Sequence, residues 1–268
     1  MLFRPLNSIS PKLYIITPTA PWYPHKAELT RLSQTLQNIP NVHWIVAEDK
    51  NEKSDSVSRL LKRSGLSHTH LALPNRLSKR HGDVKIPCRG CVQRNAGLDI
   101  IASMYENCTR VREEEAVVMM ADDDNTYDLR LFNMIRHIKT VGIWAVGISG
   151  GSWVETPKFS SDGKTITGMD VFWGKTRKFP IDMSGFAINL REILSKKPRF
   201  HSKCREGEHE TCFLEQLKLR FQDMQAIGFE KSNRVKECFA WHTKTKKIRN
   251  STFQMDKHPD GPTRGFEI

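Results

Sequence analysis

The chain predicts an α/β fold: a mainly parallel sheet with helices on both faces. Two observations carry this. Strand-like and helix-like patterns alternate over residues 13–148, and several apolar runs empty directly into polar groups. In addition, 38% of the 268 residues are hydrophobic, enough to fill the core of one large domain or two intimately packed halves.

Residues 1–12 read as a short leader or stem remnant. Residues 13–17 form an apolar strand that ends in Thr17-Pro18-Thr19. Leu29, Leu32 and Leu36 then recur at helical spacing, and Pro40 marks the stop. A second strand over 42–47 runs into Glu48-Asp49. A helix over 55–64 and a strand over 69–73 follow, and residues 74–91 are basic and loop-like. Leu98, Ile101, Ala102 and Tyr105 share one helical face. The buried strand 116–121 delivers Asp122-Asp123-Asp124-Asn125. Leu131, Ile135 and Ile138 mark the next helix, and 141–148 the next strand. Beyond residue 150 the pattern loosens into Gly-rich turns, short strands and one helix near 210–221. The expected division is 13–150, then a second lobe over 151–248 covering the same cleft, then a tail over 249–268, all within one compact domain. In parallel sheets ligands bind beyond the carboxyl ends of the strands, so the three polar strand ends should converge on one edge.

The formal net charge of +12 favours polyanionic partners: nucleic acid, anionic glycans, nucleotide-sugars or a membrane surface. Zinc-finger spacing, a homeodomain pattern and the aromatic-basic signature of an RNA-binding sheet are all absent, so a nucleic-acid reading rests on charge alone. No apolar run spans a membrane, and the first thirty residues lack a signal-peptide core. The expectation is a soluble chain, cytosolic or anchored by a segment outside it. Six cysteines, at 88, 91, 108, 204, 212 and 238, suit disulfides and free thiols equally. Cys88-x-x-Cys91 has zinc-type spacing, but no second CxxC or HxxxH completes four ligands. Asn107 and Asn250 begin N-glycosylation sequons.

The acidic triplet carries the strongest chemical signal. Hard divalent cations take carboxylate oxygens, and a metal serving a nucleotide diphosphate keeps positions open for phosphate. The alternative is a solvated acidic turn. A rigid buried strand that delivers three acids to the ligand edge argues against it. Arg89 and Arg94 flank a helix start, where guanidinium groups would clamp a phosphate or carboxylate; otherwise they are surface arginines.

Thr17-Pro18-Thr19, Lys26-Ala27-Glu28-Leu29-Thr30-Arg31-Leu32, His43-Trp44-Ile45-Val46-Ala47-Glu48-Asp49 and Gln93-Arg94-Asn95 occur in that order. Asp122-Asp123-Asp124-Asn125-Thr126-Tyr127, Phe179-Pro180-Ile181-Asp182-Met183-Ser184-Gly185-Phe186-Ala187 and Trp241-His242-Thr243-Lys244 follow. The series resembles the animal β-1,3-glucuronosyltransferases, glycosyltransferase family 43, over about residues 13–248. The resemblance implies a GT-A nucleotide-diphospho-sugar transferase fold with a Rossmann-like sheet, Mn²⁺ and an inverting mechanism. The implied donor is UDP-glucuronate and the acceptor a galactose-ended glycan, either a proteoglycan linker or N-acetyllactosamine.

By the same resemblance Asp124 is the metal ligand, and Asp122 and Asp123 position the uridine-ribose and sugar. Thr19, Asp49, Arg89 and Arg94 line the donor site, and His242, followed by Lys244, touches the diphosphate. Glu210 aligns with the catalytic base for the galactose 3-hydroxyl; Glu155, Trp173, Arg177 and Asp182 align with acceptor positions. A homodimer on a Golgi membrane anchor is also implied, with C-terminal tails reaching the neighbouring site.

The chain departs from the family pattern at four places. Ala20 replaces an aromatic, with Trp22 and Tyr23 close by, so the uracil stack is unassigned. Lys244 offers a point charge where the family has a bidentate arginine. Thr211 and Cys212 replace two serines after Glu210, and the basic residues before it are rearranged, leaving Lys203 or Arg205 to meet a glucuronate carboxylate. These differences keep two alternatives open: another donor such as UDP-xylose, or a glycan-binding relative without turnover. Read without the family, Glu210 is a helix-start acid, Trp173 a core aromatic, Asp182 a turn acid and His242 a satisfied polar group.

Overall fold

The computed structural model describes residues 10–21, 24–75, 88–106, 116–205, 207–229, 236–243 and 245. Trp22, Tyr23, Lys244, Asn107, Asn250 and the tail 249–268 lie outside the described residues. Two sheets organise the rest. The larger has seven strands: β1 (Lys12–Thr19), β2 (Val42–Glu48), β3 (Ser67–Ala72), β4 (Ala116–Met120), β6 (Val141–Ile143), β10 (Phe186–Asn189) and β11 (Gln225–Ala226). Their order is β11-β6-β10-β4-β1-β2-β3. The smaller sheet holds β5 (Thr126–Tyr127), β7 (Val146–Ser149), β8 (Ser152–Phe159), β9 (Ile166–Asp170) and β12 (Ala240–Trp241).

The inner strands β1, β2 and β4 are largely apolar because both faces are covered, whereas β3 at the sheet edge, Ser-His-Thr-His-Leu-Ala, is polar and partly exposed. Side chains alternate along each strand. Leu13 and Ile15 of β1, Trp44 and Val46 of β2, and Val117 and Met119 of β4 face one core. It is shared with α1 (His25–Leu36), α2 (Asp55–Ser64) and α4 (Leu129–Ile135). Tyr14, Ile16, Ile45, Val118 and Met120 face the other. That core is closed by α3 (Cys91–Tyr105), α5 (Leu190–Lys196) and α6 (His209–Glu215). Pro18 lies inside β1 rather than after it. β4 ends its pairing at Ile16, so Pro18 stands where the strand has a single neighbour and its missing N–H is tolerated.

Two sequence expectations are corrected. The strand expected over 141–148 is two strands, β6 and β7, belonging to different sheets. The chain crosses between them at Trp144, which is buried and donates Nε1–H to the Ser184 carbonyl at 2.9 Å. The large sheet is mainly parallel, as expected, and β10 inserts antiparallel between β4 and β6. A strand from the later half of the chain therefore sits near the middle of the first sheet. The helix expected near 210–221 stops at Glu215, and Lys218, at φ +56°, turns the chain out of helical geometry. In the small sheet, Ser149 pairs with Ser152 across Gly150-Gly151. Both glycines have positive φ, +58° and +82°, as a two-residue type I′ hairpin turn requires.

Candidate active site

The carboxyl edge of the large sheet gathers the acids. β4 ends at Met120, Ala121 donates its N–H to the Ile16 carbonyl at 2.9 Å, and the triplet begins at once. Thr19, at the end of β1, donates Oγ1–H to Asp123 Oδ2 at 2.6 Å. Arg94 donates Nη2–H to Asp122 Oδ1 at 2.6 Å. The main chain of Asp124 is gripped from two sides: its carbonyl accepts from Arg31 Nη2 at 2.9 Å and from Thr243 Oγ1 at 2.7 Å. Burial, then the charges of Asp122 and Glu28, push the Asp124 carboxyl above its ordinary range, partly offset by His242.

Each residue of Gln93-Arg94-Asn95 has a separate anchor. Gln93 donates to the Leu73 carbonyl at 2.6 Å. Asn95 exchanges two hydrogen bonds with the Phe200 backbone, at 2.8 and 2.9 Å. Arg94 also donates to the Arg89 carbonyl at 2.9 Å, and its guanidinium lies 5.6 Å from the Phe200 ring centroid. Phe200 stacks on Phe213 of α6, which couples Arg94 to that helix. The Arg89 side chain is exposed in the turn before α3. Asp49 lies next to Thr19, donating its N–H to the Thr19 carbonyl at 2.8 Å, and its Oδ1 accepts from the Asn75 N–H at 2.6 Å. Glu48, its neighbour, turns away: it is buried and holds Ser54 and His70.

The small sheet and the turn before β10 supply further polar groups. Asp182 Oδ1 accepts from Ser184 N and Oγ at 2.8 and 2.5 Å, so it does cap a turn. Its Oδ2 lies 2.8 Å from Ser149 Oγ and 3.5 Å from His242 Nδ1. Burial alone would raise this carboxyl, but the contacts with His242 and Ser184 hold it well below the usual carboxylate range. The same pairing with Asp182 pushes His242 up to about 9 against its own burial, so the ring is a cation at neutral pH. Its Nε2 faces Asp124 Oδ2 at 4.0 Å. Ser149 Oγ also lies 3.1 Å from Glu155 Oε2. Burial raises the Glu155 carboxyl, and its Oε1 is buried with no hydrogen-bond partner among the described residues.

Glu210 lies in the first turn of α6. A helix dipole alone would lower its pKa. Instead burial pushes it up to about 7; the negative charge of Asp182 adds to this, while Arg94 and Arg177 oppose it. These groups therefore share one electrostatic environment. Arg177 Nη1 is 4.0 Å from Glu210 Oε2 and 2.9 Å from the Gly207 carbonyl, and its guanidinium lies 4.6 Å from the Trp173 ring centroid. Trp173 is 49% exposed, so it is no core aromatic. Its ring covers Gly207, where a Cβ would lie 2.2 Å from the indole and φ is +79°; a side chain there would displace the tryptophan. A disulfide from Cys204 to Cys212 clamps the segment around Glu210. Closing so short a loop contributes roughly 2–3 kcal/mol in the chain-entropy picture. Lys203 and Arg205 are exposed in that segment.

The sequence reading missed Glu28, Arg31 and Ser149. Glu28 had a signal: it occupies the apolar stripe of α1 with Leu32 and Leu36. It is fully buried, accepts from Arg31, and receives the Thr245 N–H at 2.8 Å. Ser149 had none, since its partners lie on other elements.

The profile of glycosyltransferase family 43 matches residues 32–246. The galactosylgalactosylxylosylprotein 3-beta-glucuronosyltransferase sqv-8 of Caenorhabditis elegans is 38% identical over 257 residues, covering 94% of this chain and 69% of that one. Galactosylgalactosylxylosylprotein 3-beta-glucuronosyltransferase 2 of Homo sapiens is 38% identical over 241 residues, covering 89% and 70%. Among solved structures, S. aureus TarS 1-349 aligns with a TM-score of 0.52 at 14% identity, over 87% of this chain and 60% of that one. That likeness is one of fold, the GT-A type. With the family profile spanning most of its length and relatives at 38% identity, the chain belongs to glycosyltransferase family 43.

Proposed function

We propose that the protein transfers glucuronic acid from UDP-glucuronate to the 3-hydroxyl of a terminal β-galactose, with inversion. The carrying observation is the convergence of an acid triplet, two cationic side chains and a carboxyl raised to about 7 on one sheet edge. In this reading Thr19, Asp49, Asp122 and Asp123 orient the nucleotide and sugar. The donor set at Asp124 is oxygen-rich, and its raised carboxyl marks negative charge that a cation would relieve. Asp124 would hold a divalent cation there, Mn²⁺ by family resemblance, which supplies charge neutralisation to the diphosphate. Arg94 and the His242 cation add fixed positive charge against the departing UDP. Glu210 accepts the proton of the attacking hydroxyl, and a pKa near 7 suits a base working near neutral pH. With Glu210 as base, direct displacement carries the sugar from α-linked donor to β-linked product.

On the acceptor side Glu155, Arg177 and Asp182 would hydrogen-bond the galactose. Trp173 would stack on an apolar sugar face. Trp173→Ala is expected to raise acceptor KM roughly 2- to 12-fold, from the ~0.5–1.5 kcal/mol an aromatic ring adds beyond its buried area. Donor KM should stay constant; steady-state kinetics in both substrates checks this.

Donor identity is tested by hydrolysis of a UDP-sugar panel. Preferential turnover of UDP-glucuronate supports the reading, and preference for UDP-xylose overturns the donor assignment. The protein would act as a Golgi-lumenal homodimer, with residues 249–268 reaching the partner's acceptor site. Deleting them should raise acceptor KM; a monomer whose KM is unmoved by the deletion contradicts this. Among the described residues no helix is long and apolar enough to cross a membrane.

A further inference from the structure

A second chemical centre lies beside the transferase cleft. Cys88 and Cys91 are both buried, at the entrance to α3, and the structure joins them as a disulfide. The sequence offers this pair no further ligand. The fold brings one from 118 residues beyond Cys91: His209, the first residue of α6, whose Nδ1 lies 3.4 Å from Cys88 Sγ. The two sulfurs and one histidine nitrogen all fall within 4.8 Å of one another.

We propose that the reduced Cys88–Cys91 pair and His209 form a binding site for a thiophilic divalent cation of the zinc class, distinct from the oxygen site at Asp124. The donor chemistry separates the two. Two thiolates and an imidazole select borderline and soft cations, whereas carboxylates select hard ones. Charge fits as well. Two thiolates neutralise a divalent cation, and a neutral ensemble suits buried sulfurs. Cys91 opens the 15-residue helix α3, so the fold fixes the backbone that carries this ligand. Three protein ligands leave the fourth tetrahedral position for water or an exogenous ligand.

The site forms only on reduction. A dithiol delivers two electrons and two protons to the Cys88–Cys91 bond and is itself oxidised to a disulfide. The cation then displaces both thiol protons to solvent. Since His209 precedes Glu210, the bound cation would tie the start of α3 to the start of α6. The binding itself does not depend on the transferase reading.

The test uses the full chain, reduced with dithiothreitol, desalted under argon and titrated with Cd²⁺ or Zn²⁺. Expected are one high-affinity Cd²⁺ per chain, a thiolate-to-metal charge-transfer band, and release of protons. Cys88→Ser with Cys91→Ser should abolish the band, and Cys204→Ser with Cys212→Ser should retain it. His209→Gln should weaken binding by at least the roughly 10-fold that losing even an outer-sphere partner produces. On the unsubstituted chain, peptide mass spectrometry should show Cys88 and Cys91 protected from alkylation by the cation. No Cd²⁺ binding after reduction, a band that survives loss of Cys88 and Cys91, or equal alkylation with and without cation overturns the proposal.

Discussion

Replacing Glu210 with Gln is expected to lower kcat by about 10²–10⁴-fold while leaving UDP binding near its starting value. Gln keeps the size and hydrogen bonding of the side chain but cannot take the acceptor proton. The same substitution should stabilise the fold. A carboxyl whose pKa rises from 4.5 to about 7 binds its proton more tightly when folded. Stability therefore falls as pH climbs from about 4.5 to about 7, and the full penalty applies above that. At ~1.4 kcal/mol per unit, the amide should recover up to about 3 kcal/mol in alkaline buffer. A helix-start acid predicts the reverse: a loss of about 0.3–1 kcal/mol with normal turnover. The pH profile gives an independent check, because the rate should rise through about pH 7 as Glu210 ionises. Normal turnover with a lowered melting point would remove Glu210 from the mechanism and leave Glu208 and Glu215 as the acids to test next.

Asp124→Ala is expected to reduce transfer by about 10³-fold or more, since the diphosphate would lose several kcal/mol of charge stabilisation. The fold should survive. Burial and the neighbouring Asp122 and Glu28 already disfavour this carboxylate, and its main-chain contacts with Arg31 and Thr243 do not involve the side chain. Circular dichroism and a melting curve would check the fold, and chelation of the unsubstituted protein with EDTA should reproduce the loss. Near-normal turnover in either sample would refute the metal assignment.

Much of the first sheet was legible because parallel strands buried on both faces are mostly apolar, as residues 13–17, 42–47 and 116–121 are apart from Thr17 and His43. The insertion of β10 was not. Phe186–Asn189 is four residues long, and its partners lie over 40 residues back in sequence on one side and 60 on the other. Periodicity has no purchase on so short a strand. The division of 141–148 was hidden for a different reason: residues 141–147 form one continuous buried, non-polar run, and only the sheet change at Trp144 divides it. At the site, the acid triplet was readable from its place at a strand end. The Ser149 bridge and the Cys88–His209 contact were not, because each joins elements that only the tertiary fold brings together.

The most direct test of the account is a transfer assay with purified protein, UDP-glucuronate, Mn²⁺ and β-galactoside acceptors, followed by linkage analysis of the product. The expected product is a β-1,3-linked glucuronosyl-galactose, formed by the unsubstituted chain and lost on chelation. No transfer to any galactoside, or an α-linked product, would contradict it.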